Sequence, residues 1–63
     1  MNVYIGDQAK RIFETLDVPQ KSIGVFQSSS GEWVYWFTDG WVYDSGSAET
    51  ELEALRKAKE NIR

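Results

Sequence analysis

Cysteine and histidine are both absent from this 63-residue chain, and each absence removes a class of chemistry. Without cysteine there is no disulfide staple and no thiol nucleophile, and with neither residue a structural zinc site loses its usual ligands. Nucleophilic catalysis of the Ser/His or Cys/His type is excluded on the same ground. Proline occurs once, at Pro19, and no apolar run approaches the 18 or more residues of a membrane span. The stretch from Met1 to Asp7 lacks a basic start followed by an apolar segment, so a cytoplasmic protein is expected. The chain opens at Met1 with no tag or linker, which predicts a complete short gene product.

Positive charge is scarce as well. Seven Lys and Arg stand against ten Asp and Glu, a net charge of −3, which argues against a mainly electrostatic grip on nucleic-acid phosphates. Any metal site would have to be all-oxygen, and the cluster Glu49, Glu51, Glu53 lacks the Asp-x-Asp-x-Asp-Gly form of a calcium loop. It reads as the solvated start of a helix. Gly24, Gly31, Gly40 and Gly46 have no phosphate-loop spacing, and a chain this short scarcely has room to hold two carboxylates across a cleft. No enzymatic activity, cofactor or metal is therefore expected.

Aromatic residues are what the chain has in quantity: three each of Trp, Tyr and Phe. A domain of this size buries only about 60% of the surface its unfolded chain exposes, so it needs either dense aromatic packing or association.

The spacing of Ala9, Ile12, Phe13 and Leu16 predicts an amphipathic helix over 7–16, capped by Asp7 and ended by Asp17-Val18-Pro19. Residues 22–28 read as a strand, Ser28-Ser29-Ser30-Gly31 as a four-residue loop, and residues 32–38 as a second, almost wholly aromatic and β-branched strand. Asp39-Gly40 is a two-residue hairpin signal leading to a third strand over 41–45. Thr50-Glu51-Leu52-Glu53 has the form of a capping box, opening a helix to about Ile62 whose apolar stripe is Leu52, Leu55, Ala58 and Ile62. Residues 1–5 fit either a short strand or a tail tucked under the sheet. The expectation is one α+β domain over 1–63: helix, three-stranded antiparallel meander, helix (αβββα).

Pairing sharpens this outline. A four-residue first loop sets Phe26 opposite Trp33 and Val25 opposite Val34, while the Asp39-Gly40 turn sets Phe37 opposite Val42. One face then carries Ile23, Val25, Val34, Trp36, Trp41 and Tyr43, the other Phe26, Trp33, Tyr35, Phe37 and Val42. Both are rich in large apolar groups, so both need cover. Either one helix lies on each face, or both helices share one and a partner covers the other. The second arrangement is preferred, because the aromatic face has the composition of an interface hot spot.

The expected function is thus a small non-catalytic protein-binding regulator or inhibitor, of phage or mobile-element type. It would act through Phe26, Trp33, Tyr35, Phe37 and Val42 on a protein partner, a second copy in a homodimer, or both. The alternative is a nucleic-acid-binding module stacking bases on Trp33, Tyr35 and Phe37, with basic charge from Lys21, Arg56, Lys57, Lys59 and Arg63. The predicted element order is similar to that of double-stranded-RNA-binding domains. Their lysine-rich start to the last helix corresponds here to Ser47-Ala48-Glu49-Thr50-Glu51, so no functional residue carries over.

Overall fold

The computed structural model describes residues 2–39 and 42–61. The chain runs β1 (Asn2–Ile5), α1 (Asp7–Thr15), β2 (Ser22–Gln27), β3 (Trp33–Asp39), β4 (Val42–Ala48), α2 (Glu51–Glu60). Four strands form one mixed sheet in the order β1-β2-β3-β4. The α+β class holds, but the three-stranded meander gains a fourth strand. Residues 2–5 pair in parallel with β2, Val3 beside Ile23 and Ile5 beside Val25, and α1 makes the crossover that a parallel pair requires. Val3 and Ile5 are exposed at this edge rather than tucked beneath the sheet.

The β2–β3 register differs by one residue from the sequence expectation. Phe26 pairs with Val34, Val25 with Tyr35 and Ile23 with Phe37. The cause is the loop. Gly31, at φ 94°, donates its N–H to the Ser28 carbonyl, and the Ser28 N–H donates to Glu32 at 2.7 Å. That is a turn followed by a left-handed glycine, so Glu32 belongs to the loop and β3 begins at Trp33. A slip of one residue turns every β2 side chain to the opposite face. At the second hairpin Asp39 pairs with Val42 and Phe37 with Asp44, a shift of two, which preserves the faces. The connecting residues 40 and 41, including the expected Gly40 turn position and Trp41, lie outside the described residues.

One helix covers each face, which corrects the expectation that both share one. On one side α1 packs Ala9, Ile12 and Phe13 against Phe26, Trp36 and Val34. On the other, α2 packs Ala54, Leu55 and Ala58 against Ile23, Val25, Phe37, Trp33 and Tyr35. Each face holds an aromatic ring laid over a cross-strand glycine. Trp36 lies on Gly24 so closely that any Cβ there would overlap the indole. The ring is wholly buried, stacks on Tyr4 with centroids 6.1 Å apart, and donates from Nε1 to the Ala9 carbonyl at 3.0 Å. Tyr35 reaches across the opposite face until its hydroxyl is 2.5 Å from where a Gly46 Cβ would stand.

The helix ends depart in detail from the sequence reading. Gly6, not Asp7, occupies the N-cap of α1, and Asp7 lies in the first turn. Leu16 is the left-handed C-cap and 69% exposed, outside the apolar stripe assigned to it. In α2 the buried positions are Ala54 and Ala58, whereas Leu52 is 78% exposed. Small residues at 54 and 58 let this helix approach the rings beneath it. Ile62 lies outside the described residues.

Candidate functional site

The five residues singled out in the sequence do not form one surface. Phe26 faces α1, while Trp33, Tyr35 and Phe37 face α2 on the other side of the sheet. Phe26 and Phe37 are each only 6% exposed, and Trp33 and Tyr35 are half-buried. Val42 alone of the five is well exposed, at 54%. The one-residue slip separated Phe26 from the rest, and α2 covers the remaining rings. Stacking bases on Trp33, Tyr35 and Phe37 would require α2 to leave the sheet.

Among the described residues the β1 edge is open as well, with Val3 and Ile5 exposed, and two further uncovered features lie at β4. The first is the strand itself, Val42-Tyr43-Asp44-Ser45-Gly46-Ser47-Ala48, exposed along most of its length at the margin of the sheet. Residues of an antiparallel edge strand alternate, one turning its N–H and C=O to the neighbour and the next turning them outward. Two side-chain contacts fix the phase. The Ser45 N–H donates to Asp44 Oδ1 at 2.8 Å, and Lys57 Nζ donates to the Ser47 carbonyl at 3.3 Å while pairing with Glu53 at the same distance. Tyr43, Ser45 and Ser47 therefore present the outward groups. The strand has no proline or lysine, two of the usual devices that discourage edge pairing.

The second feature is a shallow depression of about 400 Å³ on the α1 side of the sheet, between the loop that follows α1 and the start of β4. Its walls are Leu16, Val18, Gln20 and Tyr43, and Thr38 lines it too. The sequence reading places Tyr43 on a sheet face but in no site, and Leu16 on the apolar face of the first helix. No sequence signal marks them, since Leu16 continues the helical stripe of Ile12 and Phe13; in the structure Leu16 and Lys21, at the two ends of the 16–21 loop, both adopt positive φ (59° and 52°), and Val18 packs against the core. Burial at the rim pushes the Tyr43 phenol above its ordinary pKa of 10, so the ring is neutral at physiological pH.

Carboxylates are dispersed: among the described residues no group of three could hold a metal ion. None of the described helices is long and apolar enough to cross a membrane. The site defines a small α+β domain with an open edge strand beside an apolar depression. Comparison with family models, curated proteins and solved structures finds no match to the chain.

Proposed function

We propose that the chain is a non-catalytic protein-binding module, a small regulator or inhibitor, and that it grips its partner through the strip formed by Leu16, Val18 and Tyr43. The observation that supports this reading is Leu16. A large apolar side chain stands 69% exposed at the rim of an apolar depression, on a backbone held in left-handed geometry. Helices commonly end on a left-handed residue, but glycine usually fills that place, so an exposed leucine there supports a side chain kept for contact. Tyr43 opposite adds a ring with an apolar body and a polar tip, the chemistry enriched at interface centres.

The experiment is capture on the immobilised native chain, beside Leu16→Asp and, as a control on the outer flank of α2, Leu52→Glu. A partner retained by the native chain and by Leu52→Glu but lost from Leu16→Asp, with unchanged circular dichroism, supports the strip. Because apolar contacts dominate, that capture should survive a rise from about 50 to 200 mM salt; phosphate-dependent nucleic-acid binding would weaken by orders of magnitude over the same range. Capture indifferent to Leu16→Asp, or abolished by Leu52→Glu, rejects the strip as the binding surface.

A further inference from the structure

The β4 edge carries an inference beyond the binding strip. We infer that its occupant is a second copy of this chain, with β4 pairing antiparallel to β4 of the partner about a two-fold axis at Ser45.

The register follows from the strand. Full overlap of 42–48 on itself sets Ser45 opposite the partner subunit's Ser45, Tyr43 opposite Ser47 of the partner subunit, and Asp44 opposite Gly46 of the partner subunit. Tyr43, Ser45 and Ser47 are the residues whose backbone groups point outward, so each facing pair among them exchanges two N–H to C=O bonds, six in all. Slipping to set Asp44 against its own symmetry mate would oppose two carboxylates, which disfavours that alternative.

Charge complementarity selects this occupant. Asp44 is the one charged side chain within β4, and it projects to the α2 side of the sheet, the side of its pair mate Phe37. Across the seam it meets the glycine position over which Tyr35 lays its hydroxyl. Directly opposed positions have Cβ atoms about 4.5–5.5 Å apart, so the carboxylate comes within reach of that hydroxyl. The Lys57 amine already stands next door, at the Ser47 carbonyl. Two donors on one protomer thus converge where the other protomer's acid arrives, and symmetry repeats the arrangement.

The free chain meanwhile satisfies two of its six outward groups with the same two side chains, Asp44 on the Ser45 N–H and Lys57 on the Ser47 carbonyl. Pairing exchanges those local contacts for strand-to-strand bonds and releases Asp44 and Lys57 to each other across the seam. Among the described residues the helices leave the approach open. Helix α2 packs mainly over β2 and β3, so with strands about 4.8 Å apart the two copies of it stand roughly 19 Å from each other. The seam joins the two β4 strands into one sheet and sets two Leu16–Tyr43 strips on a common face.

Sedimentation equilibrium on the purified chain from about 10 μM to 1 mM tests this. The expected result is a mass rising from 7.2 kDa toward twice that value. Ser45→Pro should remain monomeric throughout while keeping the native circular dichroism, because the lost N–H is bonded only to Asp44. Asp44→Lys should weaken the dimer at least tenfold, and adding Lys57→Glu should restore most of the loss. A mass that stays at 7.2 kDa to the highest concentration overturns the proposal, as does a dimer indifferent to folded Ser45→Pro or a charge reversal without rescue. The measurement uses the chain alone. A failed dimer therefore leaves the strip to be judged by the Leu16→Asp capture, which in turn does not bear on the seam.

Discussion

Leu16 holds a backbone geometry that costs an L-residue roughly 1–2 kcal/mol, in a place where it recovers little burial. Helices commonly end on a left-handed residue, and glycine is the usual choice. Leu16→Gly removes the steric cost but gives the unfolded chain more freedom, a loss of about 0.5–1 kcal/mol. The balance favours the variant by roughly 0.5–1 kcal/mol, read as a higher denaturant midpoint at unchanged slope. If Leu16 is kept for contact, the same variant should lose captured partner while gaining stability, the usual trade at a binding loop. A variant that is both less stable and fully active would reverse this argument. The sequence pattern could not show any of this, because Leu16 continues the helical stripe of Ile12 and Phe13. Only the chain's turn toward Val18 and Pro19 takes it out.

Among the elements, α2 was the most legible, and it still differs in its buried stripe, where Ala54 stands in place of Leu52, and in one bond. Thr50 accepts from the Glu53 N–H at 3.1 Å as the capping pattern predicts, but the Glu53 carboxylate pairs with Lys57 and so supports the edge contact at Ser47. Thr50→Ala should cost about 1 kcal/mol, measured by urea unfolding, since it strips one helix-start donor of its acceptor. An effect near zero would mean water replaces the hydroxyl without loss. Strand β4, with only Val42 and Tyr43 of β-branched or aromatic type, runs on to Ala48, past the expected end at Ser45, whereas β2 and β3 were legible as strands because such residues fill them. Their faces were not, because one glycine decides the register: Gly31 in left-handed geometry makes room for Glu32 in the loop, and β2 turns over. That step moved Phe26 away from Trp33, Tyr35 and Phe37, which still share a face but lie beneath α2. The short β1 was open to two readings because four residues at an edge carry too little pattern to separate a strand from a tail.

Across the whole molecule, stability and association should separate by strand. Strands β2 and β3 are central and lie between α1 and α2, with Ile23, Val25, Phe26, Trp36 and Phe37 buried along them. Their amides should open only with global unfolding and exchange most slowly. Strand β4 has no such cover, and its outward amides at Tyr43 and Ser47 face no strand of the same chain. In a dilute sample these two should exchange among the fastest in the sheet. If the seam forms they enter bonds to the partner strand, and their exchange slows as concentration rises through the association range while the inward amides of Asp44 and Gly46 change far less. An alternation of this kind, residue by residue along one strand, distinguishes edge pairing from association through the Leu16–Tyr43 strip, which would shield side chains and leave the outward amides at their dilute rates. Hydrogen exchange followed by NMR at two concentrations reads both outcomes. Equal rates for Tyr43 and Ser47 at concentrations where the chain is dimeric would place the contact elsewhere on the surface.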